Sequence, residues 1–247
     1  MPPRSMSTFV ESARLALQLI VACDSALWAI VGRSLAVSAL ATACAGALGI
    51  ALGAWLAVAR FVGRGVVLTL LNTALAVPAV VVGLVVYLLL SRSGPLGFLG
   101  WLFQFEAMVL AQTLLVLPLA AALTRQVIEG AHAQGGEQLQ SLGAGSGLRA
   151  LLLAWDERHA LLTVLITVFG RAISEVGTVM IVGGNIEGYT RVMTTAIALE
   201  TSKGDLPLAL ALGLILLTVV AALHGLIAWL QRARQRLVRA AVAPTLA

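Results

Sequence analysis

The chain has 247 residues, enough for a soluble domain with a sizeable core, yet only 11% of them are charged, 60% are hydrophobic and the mean hydropathy is +1.00. A soluble domain carries about a quarter charged residues, and this chain has too few to cover a water-facing exterior, so lipid must solvate much of its surface. The net charge of +5 and pI near 10.2 do not point to nucleic acid, because most of the basic residues flank apolar runs and no basic stripe interleaved with aromatics appears.

In chain order, residues 1–7 lack the charged start, apolar run and small-residue cleavage site of a signal peptide, so the mature chain is expected to begin near Met1. Residues 8–31 are apolar but interrupted by Glu11, Arg14 and Asp24. They suit an amphipathic helix along the interface or an additional span. Four clear apolar runs of membrane-crossing length follow, at about 34–59, 65–91, 107–124 and 206–230, and a fifth, 160–182, carries Arg171 and Glu175 inside it. Open strands in lipid would leave amides unpaired, so the expected fold is all-α and polytopic. Pro78 and Pro118 should kink their runs, and the small residues of 41–53 should let helix backbones approach closely.

Arginine sets the expected orientation. With the N-terminus outside, the inner segments hold Arg60, Arg64, Arg125, Arg149, Arg158, Arg232, Arg234, Arg236 and Arg239, and the outer ones hold Arg4, Arg14, Arg33, Arg92, Arg191 and Lys203. The bias toward the inner side, with its dense cluster after the last span, predicts a cytoplasmic C-terminus. The organisation expected is an N-terminal segment 1–33, a membrane domain 34–230 containing a cytoplasmic loop 125–159, and a basic tail 231–247.

That loop is too long for a simple connection. Leu139, Leu142, Leu148, Leu151, Leu152 and Trp155 recur at near-helical spacing, and Gly143, Gly145 and Gly147 interrupt them. The pattern predicts two short helices joined by a Gly-rich turn, either docked in a partner's groove or packed on the protein's own base. Within 160–182, Arg171 and Glu175 are charges in an apolar run, and four residues apart they share a helix face and can pair. They are either a packing ion pair or a polar element of a gate or permeation path. The outer stretch Gly183-Gly184-Asn185-Ile186-Glu187-Gly188-Tyr189-Thr190-Arg191 either exposes backbone N–H groups to an anion's route or forms an ordinary turn.

No catalytic or metal apparatus is evident. Cys23 and Cys44 are isolated, there is no GxxxxGK[ST] for ATP phosphates, and His132, His159 and Glu157 lack HExxH spacing. His132 and His159 read as solvated loop residues and His224 as a packing residue. An intramembrane enzyme using Glu175, Arg171 or a loop His is the rival reading from a different class.

Glu137 followed six residues later by Gly143, in 137–144, resembles the "EAA" loop of ABC-importer permeases, with Gln138 and Leu139 in place of the two alanines. More specifically, RAISEVGTVMIVGGNIEGYTRVMTTAIALETSKGD (171–205), with 71–97 and 111–124, resembles the permeases of bacterial tungstate importers, relatives of the molybdate and sulfate permeases. The resemblance implies a type I ABC-permease fold in the bacterial inner membrane and import of a tetrahedral oxyanion, tungstate, with molybdate or sulfate as the alternative. It also implies a homodimer surrounded by membrane lipid, an extracytoplasmic oxyanion-binding protein, and ABC ATPases docked on Glu137, Leu142, Gly143 and Ala144. ATP would act through those ATPases, with no cofactor on this chain. Arg171, Glu175, Gly183, Gly184, Asn185 and Thr190 are then the gate or path candidates.

Overall fold

The computed structural model describes residues 4–22 and 24–242, with side chains for 13–22, 24–136 and 138–232. Cys23 and the side chains of Arg4, Glu137 and the arginines beyond Arg232 therefore lie outside what is described. Those described form ten α-helices: α1 Arg4–Val21, α2 Ser25–Val58, α3 Arg64–Ala76, α4 Ala79–Leu90, α5 Phe105–Ser141, α6 Ser146–Asp156, α7 Arg158–Ile173, α8 Gly177–Gly183, α9 Met193–Lys203 and α10 Leu206–Val242. Among the described residues there is no strand, and the fold is all-α.

Three helices, α2, α5 and α10, are long and apolar enough to cross a membrane, and there are five such candidates if each of two broken pairs counts as one. The runs 65–91 and 160–182, expected as single spans, are those pairs. In the first, Pro78 has no N–H to continue α3 and disfavours a helical Val77; its carbonyl then accepts from Val81 N at 2.9 Å to start α4. Pro78 thus breaks its run rather than kinking it, whereas Pro118 remains inside α5. The second break falls between Ile173 and Gly177, around Glu175.

The N-terminal region also divides differently from expectation. Asp24 Oδ1 accepts from Leu27 N at 2.9 Å, an N-cap that starts α2 well before residue 34 and leaves Arg33 inside the helix. A boundary at 33 would cut α2. The preceding α1 is amphipathic and, among the described residues, is not one of the helices apolar enough to span, which favours the interfacial reading.

The chain forms two compact units. The first comprises Met1–Ala41, Val77–Leu115 and Arg171–Val219. Its core joins Val37 and Ala41 of α2, Val86 and Leu90 of α4, Ala107, Met108 and Ala111 of α5, and Val179 and Val182 of α8. Helices α4 and α8 pack closely at Gly83, where a β-carbon would lie 3.0 Å from Thr178 Cα. The second unit comprises Thr42–Ala76, Val116–Gly170 and Val220–Ala247. Here the small residues of α2 lie against α5, as expected: a β-carbon on Gly49 would come 2.6 Å from Ala120 Cβ, and one on Gly53 would collide with the Ala121 carbonyl. The arginines and lysine assigned to the outer side all fall in the first unit, and those assigned to the inner side all fall in the second.

Candidate functional site

In the first unit, polar groups gather at the break between α7 and α8. Arg171 Nη1 donates to Glu175 Oε2 at 2.6 Å, so the pair expected from the four-residue spacing is formed. Its two members are enclosed unequally by the chain, with the Glu175 side chain 5% exposed and that of Arg171 45%. The other carboxylate oxygen, Oε1, accepts from Thr178 N at 3.3 Å, placing negative charge at the start of α8 where free N–H groups favour it. Glu175 thus ties an α7 side chain to the first turn of α8 across the break.

Neighbouring helices hold this break by hydrogen bonds that sequence reasoning had missed. Thr194 Oγ1 of α9 donates to the Glu175 carbonyl at 2.7 Å, Gln112 Nε2 of α5 donates to the Ala172 carbonyl at 3.0 Å, and Thr178 Oγ1 donates to the Ala79 carbonyl at 2.9 Å. Each donor is a polar residue buried within an apolar stretch, which was the available signal. The guanidinium of Arg171 is the half-exposed charge that this framework aims.

The Gly-rich stretch after α8 is a separate, self-bonded turn. Gly184, Asn185 and Gly188 have φ of +68°, +51° and +76°, values that favour glycine and are tolerated by asparagine. Thr190 Oγ1 donates to the Gly183 carbonyl and accepts from Ile186 N, while Tyr189, Thr190 and Arg191 all donate their N–H groups to the Ile186 carbonyl. Those amides are therefore engaged within the turn rather than presented to a passing anion. Arg33 braces it by donating to the carbonyls of Gly188 at 2.6 Å and Arg191 at 2.9 Å. Asn185 Nδ2 reaches the Thr195 carbonyl at 3.4 Å, so α9 contacts both this turn and, through Thr194, the helix break.

In the second unit, the two short helices expected in 125–159 are in fact the end of the long α5 and the separate α6. Leu142 to Gly145 join them. The Ala144 N–H donates to the Leu139 carbonyl at 3.1 Å and the Gly143 N–H to the Gln140 carbonyl at 3.0 Å, with Gly143 at φ +80°. These are the two bonds of a Schellman cap, and they explain why this position takes glycine. Arg149 Nη1 donates across the turn to Gln140 Oε1 at 3.1 Å. Helix α6 turns Ala150 and Leu153 into a core with Ile128, while Leu148, Leu151, Leu152 and Trp155 face outward, Trp155 at 70% exposure. Leu142 at the turn is 84% exposed, and only Leu139 of the expected apolar series packs against the core.

The histidines also lie differently from expectation. His132 is within α5 and His159 within α7, so neither is a loop residue, and His224 is exposed with Nδ1 2.9 Å from the Val220 carbonyl. Cys44 is a free, exposed thiol. Among the described residues no three His, Cys, Asp or Glu side chains are grouped to hold a metal.

No family model matches the chain. Among curated proteins, it is 42% identical to the tungstate uptake system permease protein TupB of Peptoclostridium acidaminophilum, over 92% of this chain and 99% of that protein. It is 41% identical to a probable anion ABC transporter permease protein of Haloferax volcanii, over 81% of this chain and 88% of that one. Identity to the molybdenum transport system permease protein ModB of Escherichia coli K12 is 30%, over 72% and 82% respectively. With near end-to-end similarity to named permeases and an all-α fold rich in membrane-length helices, the chain belongs to the family of ABC-transporter permease subunits that includes these tungstate and molybdenum proteins.

Proposed function

We propose that this permease subunit carries a tetrahedral oxyanion, tungstate, inward across the bacterial inner membrane. The observation that carries this reading is the 42% identity over 99% of a tungstate permease, against 30% for the molybdenum relative. Two copies would form the path at their interface, with lipid around them and an extracytoplasmic binding protein supplying the anion. Arg171, half-exposed and aimed by buried Glu175, is the cation best suited to meet that anion, and the turn of Gly183, Gly184, Asn185 and Thr190 braces α8 beside it.

Energy would enter through separate ABC ATPases, with no cofactor held by this chain. The apolar outward face of α6, preceded by Glu137 and the turn at Leu142, Gly143 and Ala144, is the surface such a subunit would cover. On this reading the inner segments of the sequence face the cytoplasm and the N-terminus lies outside, in keeping with the arginine distribution. Uptake by the reconstituted complex, with tungstate, molybdate and sulfate in competition, tests the substrate. Tungstate should outcompete the others, and equal uptake of all three would overturn its assignment. For orientation, single cysteines at Gly63 and Gly188 in a variant lacking Cys23 and Cys44 should label from opposite sides.

A further inference from the structure

Four arginines of the second unit differ in how their charges are met. Arg64 and Arg125 each lie 2.8 Å from the carboxylate of Glu129 and share it. Arg60 and Arg149 have no such partner among the described residues. Arg60 is exposed just beyond α2, and Arg149 reaches the neutral amide oxygen of Gln140, its buried Nε having no partner among the described residues.

Both arginines line one pocket of about 430 Å³. His132 and Gln140 of α5 and Ser146, the first residue of α6, complete its polar wall, and among the described residues no acidic side chain lines it. Trp55 and Phe61, stacked with centroids 5.1 Å apart, form its apolar side. The His132 ring lies over the bare Cα of Gly136, where any β-carbon would collide with it, so glycine there gives the ring its place. Helix α6 begins without a side-chain cap. Two guanidinium groups from different segments, lining one pocket with no carboxylate among the described residues, suit an anion with several oxygens.

We infer that this pocket binds a tetrahedral oxyanion group through Arg60 and Arg149, supplied either by a free oxyanion or by the phosphate of an anionic lipid headgroup. The inference rests on the pocket's own residues and is independent of the transport reading. Such a ligand would tie the end of α2 to the turn between α5 and α6, the segment that carries the exposed apolar face. Its occupancy would stiffen that turn.

The test uses the full chain in phospholipid nanodiscs, either of phosphatidylcholine alone or with phosphatidylglycerol added. Equilibrium binding of tungstate and of inorganic phosphate is measured in the first, and phosphatidylglycerol retained per chain in the second. The variants are R60Q/R149Q, R60K/R149K, R60Q alone and, as a control arginine outside the pocket, R158Q. In R60Q/R149Q, binding of one probe should fall about tenfold, as loss of charge-assisted bonds requires, with partial recovery in R60K/R149K and none of the loss in R158Q. Loss of the inorganic anions identifies a free oxyanion, and loss of phosphatidylglycerol identifies a lipid. If R60Q/R149Q fails to fold, R60Q alone, at an exposed position, should still weaken binding about threefold. Unchanged binding of every probe in the folded variants, an equal fall in R158Q, or no saturable binding to the wild type would overturn the inference.

Discussion

The two units of this chain treat their polar groups in opposite ways. In the first, charges and hydroxyls are largely answered from within: Glu175 takes both Arg171 and the start of α8, Arg33 is spent on two carbonyls, and Thr190 closes its own turn. The second leaves an apolar helix face outward at Leu148, Leu151 and Trp155, with Arg60 and Arg149 unmet by carboxylates among the described residues. A self-satisfied unit is built to hold a geometry, while one with unmet surface is built to be completed by something else. Arg171 keeps its guanidinium half-exposed although its partner Glu175 is buried, and that inequality makes it the path candidate.

The largest expected effect breaks the second unit's open surface. Gly143 holds φ +80°, whereas proline is confined near −65°, so Gly143→Pro cannot keep the cap that joins α5 to α6. The variant should insert normally but retain no ATPase on purification and transport no anion. Glu137→Arg should weaken retention by a smaller amount, since it reverses one charge and leaves the cap in place. Normal uptake by both, at normal membrane levels, would reduce the α5–α6 turn to a structural base.

The next effect sharpens the asymmetry of the first unit's ion pair. Removing Arg171 strands a buried carboxylate, whereas removing Glu175 strands a guanidinium that the fold of this chain leaves half-exposed. Breaking a buried pair costs about 3–5 kcal/mol when the remaining charge is enclosed, and less when it is not. Arg171→Met should therefore lower folding yield more than Glu175→Gln, and the double variant should recover part of the loss. Thermal unfolding in detergent checks the order, and additive losses would count against direct pairing.

How legible this was in the sequence depended on the range of the interaction. The Arg171–Glu175 pair could be read because four-residue spacing within a helix is local, and the close approach of Gly49 and Gly53 to α5 because small residues announce it. The two broken spans could not be read, since hydropathy averages over Val77 and Ser174 without registering what a proline ring or a capping carboxylate does to the next turn. Arg33 was assigned to a flank because its charge interrupts an apolar run, but its partners lie about 155 residues away, beyond any local pattern. The α5–α6 turn was legible in kind and not in extent: glycines marked the joint, and nothing marked that α5 would continue unbroken through Arg125 to reach it.

Helix packing in the second unit gives an intermediate effect. Because a β-carbon on Gly53 meets the Ala121 backbone, which cannot move aside as a side-chain end could, Gly53→Leu should destabilise by about 1–3 kcal/mol. Gly130, within α5 of the same unit, has nothing within 4 Å of its would-be β-carbon. Gly130→Ala should therefore stabilise by about 0.5–1 kcal/mol through helix propensity alone. Thermal melts of the two variants under one detergent condition separate packing from propensity.

The smallest expected effect tests whether the first unit's internal bonds position Arg171 or merely add stability. Thr194→Val preserves shape but removes the hydroxyl that donates 2.7 Å to the Glu175 carbonyl, costing about 1 kcal/mol for one neutral hydrogen bond. Thr178→Val removes a comparable bond to the Ala79 carbonyl, at 2.9 Å, which secures α8 against α4. If both bonds were only stabilising, the two variants would lose similar stability and transport alike. If α9 fixes the helix break that aims the guanidinium, Thr194→Val should lower the anion transport rate several-fold at a melting temperature matched to that of Thr178→Val. Transport that follows melting temperature in both variants would leave Thr194 a packing residue. A rate loss confined to Thr194→Val would make α9 the element that sets the position of Arg171, since Thr194 is bonded to the break while Thr195 next to it accepts from Asn185 of the turn.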